Sequence, residues 1–117
     1  GIMLDTAERS YTGAYLERGR KLNKLIALAK PKDYERFRIL CESCLEHDAS
    51  DELGKIRCPV LVIGASEDKV LGGEASKEIA VGIPGAELHM YEGYSHGVYE
   101  QAKDFNNRVL NYLLQHR

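Results

Sequence analysis

Residues 58–96 read CPVLVIGASEDKVLGGEASKEIAVGIPGAELHMYEGYSH, and this stretch decides the fold. Pro59 can open a strand, where its missing amide does least harm. Val60, Leu61, Val62 and Ile63 are apolar at every position, the pattern of a strand covered on both faces, as in a parallel sheet between helix layers. Gly64 is expected to end that strand. A loop through Gly72 and Gly73 leads to a helix from about Glu74, with Ala75, Ile79, Ala80 and Ile83 inward and Gly82 and Pro84-Gly85 as its stop. A second strand is expected from Ala86 to about Tyr91, followed by a loop from Glu92 to Gly97 that carries His96. Strand, helix, strand predicts a βαβ unit with parallel strands.

Open α/β sheets gather their functional groups at the carboxyl ends of the strands. Asp68 follows the first strand and His96 the second, so parallel pairing brings the two loops together. A carboxylate that accepts from an imidazole fixes its tautomer and orientation. Histidine is suited to take and return a proton near neutral pH. Asp68 and His96 are therefore the candidate catalytic pair. Asp68 as a plain turn residue and His96 as a structural loop histidine are the alternatives, and the paired loop positions weigh against both. Glu67 could replace Asp68 in the role. His47, His89 and His116 lack comparable context and read as surface or packing residues.

Outward from this centre, a last helix is expected to present Phe105, Val109, Leu110, Leu113 and Leu114 to the core. Upstream, Ser50 has the position of an N-cap for a short turn carrying Leu53 and Ile56. Asp5-Thr6-Ala7-Glu8 has capping-box spacing. Beyond it Tyr11, Tyr15, Leu22, Leu25, Ile26 and Ala29 fall near a helical period, with a break expected near Gly19 and a stop at Pro31. Tyr34, Phe37, Leu40, Cys41, Cys44 and Leu45 share one face of a further helix, opposite Glu35, Arg36, Arg38, Glu42 and Glu46.

The chain has 117 residues, the length of one modest domain, and a formal net charge of −2. It therefore has no global basic field of the kind that draws nucleic acid. No apolar run approaches the length of a membrane span, and the first residues lack a secretory pattern. The three cysteines, Cys41, Cys44 and Cys58, are too few and odd in number for a disulfide framework, which points to a reducing cytoplasm.

From about Ser50 to Leu114 the sequence resembles the C-terminal part of α/β-hydrolase-fold enzymes. The phrases that carry the resemblance are the lead-in Asp51-Glu52-Leu53-Gly54-Lys55-Ile56-Arg57-Cys58-Pro59, the acid loop Gly64-Ala65-Ser66-Glu67-Asp68-Lys69-Val70, the phrase Ile83-Pro84-Gly85-Ala86-Glu87-Leu88, the histidine at 96 and the helix opening Glu100-Gln101-Ala102-Lys103-Asp104-Phe105-Asn106. The resemblance implies an α/β fold: two parallel strands with flanking helices (residues 50–117), preceded by a helical cap segment (residues 1–49). It implies Asp68 as catalytic acid and His96 as general base, with no cofactor and no metal. Two positions depart from the family pattern. Ser95 stands where a glycine often precedes the histidine, and Gly72-Gly73 stands where a proline often follows the acid.

That family orders its triad as Ser, then Asp or Glu, then His, with the serine on a G-x-S-x-G elbow. The sequence contains no such elbow; Gly64-Ala65-Ser66-Glu67-Asp68 lacks the second glycine and lies in the acid's own loop. The expected activity is serine-type hydrolysis of an ester, lactone, thioester or amide, with the nucleophile outside this chain and the chain alone inactive. A non-catalytic assembly or binding module is the alternative. If the cap reading holds, Tyr11, Tyr15, Tyr34, Phe37, Val70 and Val98 are candidates for the substrate pocket of a small acyl compound.

Cys41-Glu42-Ser43-Cys44 has C-x-x-C spacing, which could serve zinc or redox chemistry. A structural zinc site needs four ligands, and the apolar stripe predicts that both cysteines pack as small hydrophobes. Ser66 and Ser95 read as loop hydrogen-bonding residues. A two-stranded parallel sheet is not expected to stand alone, and an open apolar edge invites pairing. The expected partner is therefore the N-terminal half of the same hydrolase, cleaved or as a separate chain, or a homodimer formed by sheet pairing or swapping. Neither nucleic acid nor a membrane is expected.

Overall fold

The computed structural model describes residues 2–26, 28 and 33–117. Three helices come first: α1 Ile2–Ser10, α2 Gly13–Ile26 and α3 Tyr34–Glu46. A single turn, α4 Ser50–Leu53, precedes strand β1 Leu61–Ala65. Helix α5 Ala75–Gly82 connects it to strand β2 Glu87–Tyr91, and α6 Val98–Gln101 and α7 Phe105–Gln115 close the chain. The strands pair in parallel, with Leu61 opposite Glu87 and Ala65 opposite Tyr91. Both strands therefore end at the same level, and the loops that leave them start side by side.

Local chemistry explains these elements. Asp33 caps α3 by accepting from the Arg36 amide at 2.9 Å, which satisfies one of the donors a helix start leaves over. Gly64 lets α5 lie directly on β1, because a Cβ there would stand 2.6 Å from the Ser76 Cβ and 2.5 Å from the Met90 sulfur. The strands are not evenly covered. Val62, Ala65 and Tyr91 are buried, whereas Glu87 and Leu88 at the start of β2 are exposed. The core lies at the carboxyl ends of the strands, where Ala65, Tyr91, Val98 and Ala102 pack together with Ile63, Tyr94 and Phe105 against them. The Tyr91 ring stacks on Phe105 and meets Tyr94 edge-on. The pair of loops bearing Asp68 and His96 rests on this aromatic floor.

Several expected details are corrected. The helix break falls at Tyr11 and Thr12 rather than near Gly19, which lies inside α2. Asp5 is an internal residue of α1 bonded to Arg9 and does not cap it. Ser50 is the first residue of α4, held by the Asp48 carboxylate. β1 runs on through Gly64 to Ala65. The apolar stripe of α3 is exposed, and so are Cys41 and Cys44, so neither cysteine packs in a core. Ile79, Leu110, Leu113 and Leu114 are exposed as well, and Tyr112 is the buried residue of α7. The expected stop at Pro31 and the inward place of Ala29 lie outside the described residues.

The accessible surface of the whole chain is correspondingly large. A compact domain of 13.1 kDa exposes about 6,400 Å², and this chain exposes 8960 Å². Its radius of gyration is 16.6 Å, against about 13 Å for a compact domain of the same length. Leu45 and Val81, each close to nine-tenths exposed, mark two of the uncovered surfaces. Among the described residues no helix is long and apolar enough to cross a membrane.

Candidate active site

The acid loop begins with two backbone ties to the histidine loop. The Ser66 amide donates to the Tyr91 carbonyl at 3.0 Å, and the Glu67 amide to the Tyr94 carbonyl at 2.9 Å. The Gly93 amide returns a bond to the Ser66 hydroxyl at 2.9 Å. The sheet register is thus carried past the strand ends into the loops.

Asp68 is delivered into this frame with both carboxylate oxygens engaged. Oδ1 accepts from the Val70 amide at 2.7 Å and from the Leu71 amide at 3.0 Å. Oδ2 lies 2.9 Å from His96 Nδ1. An ionised carboxylate only accepts, so Nδ1 carries the proton and Nε2 is left free as the basic nitrogen. The Asp68 side chain is 14% exposed and that of His96 is 38% exposed. Burial pushes the Asp68 carboxyl up, but the bonds from His96 and from the Leu71 and Val70 amides outweigh it and hold it below the usual carboxylate range. The carboxylate is therefore charged at neutral pH, as an orienting acid must be.

Beside the pair lies an apolar cleft of about 200 Å³, walled by Ile63, Leu71, Val98, Tyr99 and Phe105, with Ser76 at its edge. Ligand pockets are usually about 300–1,000 Å³, so this cleft is smaller than a usual one. Among the described residues, no serine or cysteine side chain is hydrogen-bonded to His96 Nε2. Of the candidate pocket residues, Val98 lines the cleft. Tyr11 and Tyr15 do not line it, and both hydroxyls donate to Glu100 at 3.0 Å. Tyr34 and Phe37 sit on the exposed face of α3, and Val70 is exposed with its amide on Asp68. Sequence reasoning missed Leu71, Ser76, Tyr99 and Phe105. Tyr99 stands three residues after His96, in the first turn of α6, and could have been named from that closeness in sequence.

The remaining candidates fall away from the pair. Ser66 is tied to Gly93, and Ser95 bonds to the Arg9 carbonyl. His89 packs edge-on against Tyr91, and His116 Nδ1 lies 3.0 Å from the Tyr112 carbonyl. Among the described residues no group of three or more histidine, cysteine or acidic side chains is gathered to hold a metal.

The fold has counterparts among solved structures. An enol-lactonase from Burkholderia xenovorans LB400 superposes on 97% of this chain with a TM-score of 0.80 and 26% identity. The chain has part of an α/β-hydrolase fold. An esterase from Exiguobacterium antarcticum gives the same α/β-hydrolase likeness at the level of fold, with a TM-score of 0.74 and 19% identity over 96% of this chain. In sequence, a 2-hydroxy-6-oxononadienedioate/2-hydroxy-6-oxononatrienedioate hydrolase of Klebsiella pneumoniae is 36% identical over 67 residues, 56% of this chain. No protein-family profile matches the chain. The chain spans only part of these α/β hydrolases: 23% of the Klebsiella relative, 44% of the lactonase and 41% of the esterase.

Proposed function

We propose that this chain supplies the acid and the base of a serine-type α/β hydrolase. Asp68 orients His96, and His96 Nε2 takes the proton of a serine hydroxyl and later returns it to the leaving group. The serine, and most of the backbone amides that stabilise the tetrahedral intermediate, belong to polypeptide outside this chain. The substrate class is a small carboxylic ester, lactone, thioester or amide, bound with its apolar part against Val98, Tyr99 and Phe105. The observation that carries this reading is the 2.9 Å contact between Asp68 Oδ2 and His96 Nδ1, made by loops that leave neighbouring parallel strands.

The uncovered surface supports the same reading. The chain exposes about 2,600 Å² more than a compact domain of its mass would, an area on the scale of obligate interfaces. The outer edge of β1 and the apolar faces of α3 and α7 are the surfaces that the rest of the hydrolase covers, and a second copy of the chain is the competing occupant. Hydrolysis of short-chain esters and lactones by the full-length protein, compared with Asp68→Asn and His96→Ala, tests the catalytic assignment. Loss in both variants is expected, and unchanged rates in both would sink it. Intact mass and sedimentation of residues 1–117 produced alone distinguish a chain that needs its other half from one that pairs with itself.

A further inference from the structure

The histidine loop is held from a second side, by the end of the first helix. Ser95 is fully buried at 0% exposure, and its hydroxyl donates to the Arg9 carbonyl. The Gly97 amide donates to the Ser10 carbonyl at 2.6 Å. The residues immediately before and after His96 thus bond to consecutive carbonyls at the C-terminus of α1. Such carbonyls have no partner within their own helix, so α1 gains its C-terminal caps from the loop that bears the base. A Cβ on Gly97 would overlap the Tyr11 ring, so the glycine lets the elbow between α1 and α2 lie directly on the loop. Around this contact, Thr12 bonds to Gly93 and Gln101, and Tyr11 and Tyr15 both bond to Glu100.

We propose that Ser95 is a positioning residue for His96, its hydroxyl locking the histidine loop to the C-terminus of α1 so that helix and imidazole move as one unit. Asp68 fixes the ring from the sheet side and the two α1 carbonyls fix its backbone from the helix side. Where the family often has glycine before the histidine, this chain gains a side-chain tie to the end of α1. A displacement of that elbow therefore reaches the base directly. The kinetic part of this proposal rests on the hydrolase reading; the structural part does not.

The test uses the full-length protein and follows the His96 Nδ1–H proton by NMR, with kinetics alongside. In Ser95→Ala the Nδ1–H signal is expected to exchange faster with water and to move away from its hydrogen-bonded position. Turnover number is expected to fall about tenfold with little change in KM, since small misplacements of a reacting group act on the chemical step. Arg9→Ala, which removes an exposed side chain but keeps the carbonyl, is expected to leave the signal unchanged. A Ser95→Ala protein with the parental Nδ1–H signal overturns the proposal, as does an Arg9→Ala protein that changes it equally. Should Ser95→Ala not fold, the unsubstituted protein still decides. The Gly97 amide and His96 Nδ1–H should show matching protection from exchange, and an imidazole proton that exchanges freely while Gly97 stays protected overturns the coupling. If Asp68→Asn leaves hydrolysis intact while Ser95→Ala still alters the signal, the hydrolase reading fails and the clamp stands.

Discussion

Asp68 and His96 meet at 2.9 Å, and the carboxylate oxygen that does not face the imidazole is held by the Val70 and Leu71 amides. The carboxylate cannot turn away without breaking three bonds, so the ring it orients has one preferred tautomer. Asp68→Asn would present an amide to Nδ1 and favour the wrong one. Turnover is expected to drop by about 10⁴, the scale of that loss in serine proteases. Because the two residues act as a unit, the double variant Asp68→Asn/His96→Ala should be no slower than His96→Ala alone. Rates that multiply in the double variant would argue for separate roles.

The depressed Asp68 carboxyl ties stability to pH in a definite direction. Its contribution is whole above the unfolded aspartate value, about 3.9, and is lost as pH falls through the lower folded value. The melting-temperature gap between the parent protein and Asp68→Asn should close as pH falls below about 4. A gap that stays open down to pH 2 contradicts the linkage.

At the other end of the scale, burial first and the bond to Glu100 second push the Tyr11 phenol up to about 12. A raised acid is stabilising while protonated, so the contribution is whole below about pH 10 and is lost as pH rises through the folded value. Absorbance titration of tyrosinate should show a late-titrating tyrosine that disappears in Tyr11→Phe. Identical titration curves would exclude the assignment.

Gly64→Ala tests the contact between α5 and β1. The Met90 sulfur can swing aside, but the Ser76 Cβ, 2.6 Å from the added atom, is fixed to the helix backbone. The cost is expected to be about 1–3 kcal/mol, read as a lower urea midpoint with an unchanged slope. A variant as stable as the parent would mean that the helix slides freely on the strand.

Ser66 separates a loop tie from a nucleophile. Its hydroxyl accepts from the Gly93 amide at 2.9 Å, so Ser66→Ala should cost about 0.5–1.5 kcal/mol. Hydrolysis should fall less than tenfold, far from the loss that removal of a nucleophile causes. Abolished turnover in a well-folded Ser66→Ala protein would reassign the chemistry to this chain alone.

The strand, helix, strand order of residues 58–96 was legible because a continuous apolar run, a glycine-bounded helix and a second short strand differ in period and punctuation. The Asp68–His96 pair followed, since parallel strands put successive carboxyl ends side by side. Side-chain burial was not legible in the same way. The stripes of α3 and α7 have the periodicity of core faces, yet Leu45, Leu110 and Leu113 are exposed, because periodicity says which residues share a face and not what that face meets. The helix break at Tyr11 and Thr12 escaped for a related reason: the Arg9 and Ser10 carbonyls just before it accept from Ser95 and Gly97, partners remote in sequence.

The amino-acid sequence by itself determined the strand, helix, strand order, the parallel sheet and the meeting of the Asp68 and His96 loops, since each depends on local propensity and on the reach of a short crossover. Tertiary structure alone decided which carboxylate oxygen faces the imidazole, which residues wall the cleft beside it, and that α1 ends on the histidine loop. Those relations depend on distances between segments remote in the chain, and such distances are set by packing rather than by any pattern within a segment.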